Sequence, residues 1–100
     1  MQASGVQAPA GWVIGVMVEA GEGPVRWYFA VGKPDQARAE WAAVDLAVQS
    51  ARVATSPVDG VEPVQALAPL TLAAMTRLGL KPGAAKALGE RWPRRWLPAA

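Results

Sequence analysis

Two runs rich in β-branched and aromatic side chains, Trp12 to Glu19 and Val25 to Val31, lie on either side of Ala20-Gly21-Glu22-Gly23-Pro24. On a strand, successive side chains point to opposite faces. Trp12, Ile14, Val16 and Val18 therefore share one face, and Val13, Gly15, Met17 and Glu19 the other. In the second run Val25, Trp27, Phe29 and Val31 form an apolar face, and Arg26, Tyr28 and Ala30 a more polar one. The β-branched and aromatic content suits a pleated, half-buried surface. Two glycines free to take positive φ and a proline closing the loop supply the turn. The two runs predict a β-hairpin.

The period changes after Lys33-Pro34-Asp35, where a proline and an acid suit a first helical turn. The pattern extends this helix to about Ala51. With about 100° between successive residues, Ala37, Trp41, Val44, Val48 and Ala51 fall on one stripe. That stripe is expected to lie on the apolar face of the hairpin. Arg38, Asp45, Gln49 and Arg52 gather to one side of it and read as solvated surface. Residues 53–64 hold two prolines and an Asp-Gly pair and read as loop, with a short edge strand near Val61 to Val64. Pro69 opens a second helix over Leu70 to Leu78, closed by Gly79 in a left-handed cap. Lys81-Pro82-Gly83 is a turn, and Ala84 to Arg91 a short third helix stopped by Pro93.

The predicted fold class is α+β: a β-hairpin packed against an amphipathic helix, followed by a Pro/Gly loop and two shorter helices. Residues 1–10 form a flexible N-terminal leader, 11–90 a single α+β domain, and 91–100 a basic Trp/Arg-rich tail. At 100 residues with 52% hydrophobic side chains, the chain can bury one core and has no room for a second.

Absences narrow the chemistry. With no cysteine and no histidine, disulfides, thiolate nucleophiles, zinc or haem ligation and the commonest general base are all excluded. Magnesium–carboxylate and lysine chemistry remain open in principle, but the carboxylates are dispersed. Glu19 and Glu22 flank the hairpin loop, while Glu40 and Asp45 lie on different helix faces. No catalytic residue, metal ligand or cofactor site is expected, and the chain does not read as an enzyme. The apolar stretch from Trp12 to Val18 is far shorter than the roughly 20 residues that span a bilayer. Residues 1–10 also lack the basic start and apolar run of a secretory signal. The expected location is the cytoplasm.

Two surfaces are candidates for function. A hairpin with one helix on it leaves two open edges and a partly apolar face. Trp12, Trp27 and Tyr28 are the candidate anchors there. Pairing two hairpins across a two-fold axis would bury them in a four-stranded sheet, so self-association as a homodimer is the leading expectation, with a protein partner possible in its place. The second surface is basic. Residues 1–50 hold three basic against five acidic side chains, and residues 51–100 hold seven against three. The stretch from Leu72 to Arg91 resembles a DNA-binding helix-turn-helix, although Met75 stands where that motif usually has a small residue. Lys81, Lys86, Arg91, Arg94 and Arg95 would contact phosphates, with Trp92 and Trp96 stacking on bases. Nucleic acid is thus the alternative partner.

Overall fold

The computed structural model describes residues 9–21 and 23–92. Its elements are β1 (Gly11–Ala20), β2 (Gly23–Val31), α1 (Gln36–Ala47), β3 (Arg52–Val53), β4 (Val64–Leu70), α2 (Leu72–Leu78) and β5 (Ala85–Gly89). They form a small α+β fold in which five antiparallel strands carry a helix on each face. The hairpin is its centre. β1 and β2 pair from Trp12↔Val31 to Ala20↔Gly23, so Trp12, Ile14, Val16 and Val18 face the same way as Val31, Phe29, Trp27 and Val25. That is the division of faces the alternation predicts.

The hairpin is not an edge element. Along its outer side β1 pairs with β4 over residues 11–16 and with β3 over Val18 and Glu19. On the other flank β5 pairs with Tyr28 to Val31. Strand order is β3-β1-β2-β5, with β4 also against β1. The chain leaves β1 between β3 and β4, near Met17, whose N–H donates to Pro63 O at 2.8 Å and whose carbonyl accepts from Ala54 N at 2.9 Å. The excursion over residues 54–63 turns back at Asp59 (φ 51°) and Gly60 (φ 78°), closed by the Val58↔Val61 bridge. Two consecutive positive φ values suit an Asp-Gly pair.

Each face of the sheet has its own core. Ile14, Val16, Val18, Phe29 and Val31 pack with Ala39, Ala43 and Ala47 of α1. On the opposite face Val13, Ala30 and Leu70 pack with Ala74, Met75 and Leu78 of α2 and with Leu80. α1 is capped by the Asp35 carboxylate, which accepts from Arg38 N at 2.9 Å, and ends four residues earlier than Ala51. α2 starts at Leu72, because the Thr71 hydroxyl caps it by accepting from Ala74 N at 3.0 Å. Gly79 closes it in the left-handed region at φ 71°, as expected.

Three expectations are corrected. The face that α1 buries is the alanine row Ala39, Ala43 and Ala47, not the stripe with Trp41 and Val48, which are 69% and 54% exposed. Small side chains let the helix sit close to the sheet, and Trp41 at the interface would hold it off. Residues 64–70 are a strand rather than loop and helix start. Residues 85–89 are a strand rather than a third helix. Between the Pro82-Gly83 turn and Gly89 there is too little chain for a stable helix, whereas the free flank of β2 offers a ladder of hydrogen bonds.

β5 also fastens α2. The Lys86 ammonium donates to Leu78 O at 2.7 Å, satisfying an end carbonyl of α2 and complementing the negative end of the helix dipole. Lys86→Met keeps the apolar stem and removes this bond. It should lower unfolding stability by about 1 kcal/mol, read as a shift of the urea midpoint at unchanged slope; an unshifted midpoint would show the bond to be energetically idle.

Candidate interaction surfaces

Register decides which hairpin side chains are available. Trp12 and Trp27 lie on the α1 face, half-buried against its core, and the Trp12 indole N–H donates to Pro34 O at 2.9 Å. They share that face with Ile14, Phe29 and Val31, as the strand alternation predicts. Tyr28 lies on the opposite face. There α2 covers the end built from Val13, Ala30 and Leu70, and on the remaining half Met17, Arg26, Tyr28, Gln65 and Leu67, each half-buried, surround Gly15. Gly15 pairs with Tyr28 on one side and Gln65 on the other. A side chain at Gly15 would meet Leu67 Cδ1 at 2.9 Å and Arg26 Cδ at 3.1 Å. The absence of that side chain lets its neighbours converge.

Two contacts organise this half-face. Arg26 Nη2 donates to Gln65 Oε1 at 3.0 Å, fixing the guanidinium across β1. Tyr28 and Trp92 meet edge to face, with ring centroids 5.7 Å apart and planes at 87°. A shallow cleft of about 290 Å³ opens beside them, lined by Met17, Pro24, Arg26, Tyr28, Val58, Asp59 and Val61. A neighbouring hollow of about 330 Å³ lies toward the hairpin tip, with Glu19, Gly21, Gly23, Pro24 and Val58 on its walls. The cleft is therefore mixed in charge, with Arg26 and Asp59 among apolar walls, and Glu19 lines the neighbouring hollow.

Gln65 and Leu67 escaped sequence reasoning because β4 did, whereas Met17 was placed on the second face of β1. Their signal was present only in the alternation of β1, whose second face carries Gly15 and Met17 between larger neighbours.

The basic candidates fall partly within the described residues. Lys81 and Arg91 are exposed, Lys86 is engaged with Leu78 O, and Trp92 is half-buried against Tyr28. Arg94, Arg95 and Trp96 lie outside the described residues. The helix-turn-helix resemblance is overturned, because the segment that would supply its reading helix is β5. Among the described residues no three or more acidic side chains come together to hold a metal ion, and no helix is long and apolar enough to cross a membrane.

A second exposed feature is the outer stripe of α1, where Trp41 and Val48 stand with exposed Ala37 and half-buried Val44. Compared with protein-family models, curated proteins and solved structures, the chain matches none.

Proposed function

We propose that this domain is a non-catalytic binding module acting through protein contacts, with the half of the hairpin face around Gly15 as its working surface. The observation that carries the reading is the convergence of Met17, Arg26, Tyr28 and Leu67 around side-chain-less Gly15, beside the cleft. The occupant is an extended protein segment. An apolar side chain fits against Met17, Tyr28 and Leu67, and a carboxylate suits the Arg26 guanidinium, which Gln65 holds in place. Tyrosine and arginine are the residue types that most often dominate such contacts. Asp59 in the cleft and Glu19 in the neighbouring hollow disfavour a polyanion. A nucleic acid would bring repeated negative charge to them, whereas a protein segment of mixed sign need not.

A displayed library of random peptides, selected on the immobilised full chain, tests this reading. Selected peptides should combine an acidic with a large apolar residue. Tyr28→Ala and Arg26→Ala should each weaken them at least tenfold while leaving the circular dichroism spectrum intact. Peptides indifferent to both substitutions would overturn the reading. So would single-stranded RNA binding that exceeds peptide binding and falls by orders of magnitude between about 50 and about 200 mM salt.

A further inference from the structure

The outer stripe of α1 carries a second inference, independent of the cleft. Ala37, Trp41, Val44 and Val48 are spaced by four, three and four residues, the interval of a coiled-coil seam. The seam is turned away from the sheet, because the row Ala39, Ala43 and Ala47 on the other side of the helix is fully buried against it. Trp41 is 69% exposed, a large apolar surface to leave in water on a 12-residue helix. We propose that α1 pairs antiparallel with α1 of a second copy of this chain across a two-fold axis.

Charge decides both the occupant and the direction. The seam is symmetric about a point between Ala42 and Ala43, so an antiparallel copy brings Trp41 level with the second copy's Val44 and Ala37 level with its Val48. Each layer then occurs twice. Arg38 and Asp45 flank the same side of the seam and are both exposed. In the antiparallel pair each Arg38 stands two residues, or about 3 Å of helix rise, from the level of the second copy's Asp45. The surface is thus self-complementary, with two opposite-charge pairs related by the axis. A parallel pair would instead set Glu40, which accepts a hydrogen bond from Gln36 at 3.1 Å, beside the second copy's Asp45. Like charges there oppose that direction.

Four seam positions per copy make a small interface, below the roughly 1,000 Å² of a stable complex. The dimer is accordingly weak and concentration-dependent.

Sedimentation of the full chain across about 10 to 500 µM should show the mass rising from 10.5 kDa toward twice that value. Trp41→Glu should raise the dissociation constant at least tenfold, and Val48→Glu should do the same if the first variant folds poorly. Arg38→Asp and Asp45→Arg should each weaken association several-fold, and the double exchange should restore it. Both single changes suit the helix dipole better than the native residues do, so lost association would not reflect a lost helix. A chain monomeric throughout the range, or a dimer indifferent to Trp41→Glu and Val48→Glu, overturns the proposal. A double exchange weaker than either single change overturns the antiparallel direction.

Discussion

Phe29→Ala is expected to lower unfolding stability by about 3–5 kcal/mol, a large fraction of the roughly 5–15 kcal/mol that keeps a domain of this size folded. Among the described residues Phe29 is the largest fully buried side chain, at 2% exposure, and sits on β2 between Ile14 of β1 and Ala87 of β5. The cost lies at the upper end of the usual range because of what surrounds it. The helix above this core contributes Ala39, Ala43 and Ala47. Alanine has no rotamer to swing into a vacated space, and the backbone of α1 already lies close to the sheet. The cavity therefore stays open, and its walls lose their dispersion contacts as well as the buried area. Urea denaturation should show the midpoint falling at unchanged slope. A loss below about 1.5 kcal/mol would mean that α1 settles onto the sheet and closes the gap.

The same alanine row explains which parts of the fold the sequence made legible. The hairpin was readable because two independent signals agreed: β-branched and aromatic runs over residues 12–19 and 25–31, and a glycine-rich turn between them. Helix α1 was readable as a helix, but its facing was not. At 100° per residue the chain carries two apolar stripes there, one of alanines and one with Trp41, Val44 and Val48. Hydrophobicity favours burying the larger stripe. Geometry favours the smaller, because only a row of methyl groups allows the close approach that the sheet and Phe29 require. The surplus stripe is what the proposed second copy would cover.

β4 and β5 were lost for a different reason. Val64-Gln65-Ala66-Leu67-Ala68-Pro69-Leu70 and Ala85-Lys86-Ala87-Leu88-Gly89 are poor in β-branched and aromatic side chains, and the second is composed largely of good helix formers. Their strand conformation comes from the flanks of the hairpin, which offer unpaired backbone groups to whatever segment the turns deliver. Such tertiary overrides leave no local trace. With β4 hidden, Gln65 and Leu67 were hidden too, and the half-face around Gly15 could be seen only as Arg26 and Tyr28 on a polar strand face. Trp12 and Trp27 fall on the α1 face and Tyr28 on the other, the division that the hairpin's alternation predicts.

Gly32→Ala should show how tightly β5 is delivered to that flank. Gly32 follows β2 and is buried where the chain from α2 crosses it: its N–H donates to Ala84 O at 2.7 Å, and its carbonyl accepts from Gly83 N at 2.7 Å. A Cβ there would stand 2.7 Å from Lys81 O, 3.0 Å from Met75 Cε and 3.2 Å from Gly83 N. Met75 can swing its methyl away. The two backbone atoms can retreat only by carrying the Lys81 to Ala84 turn off β2, which breaks both hydrogen bonds and loosens β5. The expected loss is about 2–4 kcal/mol, with amide exchange accelerated first in residues 84–88. Gly21→Ala is the matched control: its φ is 62°, yet nothing lies within 4 Å of the added methyl. It should cost only the conformational penalty of about 1 kcal/mol and leave β5 protection unchanged. If the two variants were equally stable, the turn would have room to yield, and the position of β5 would rest on its ladder with β2 alone.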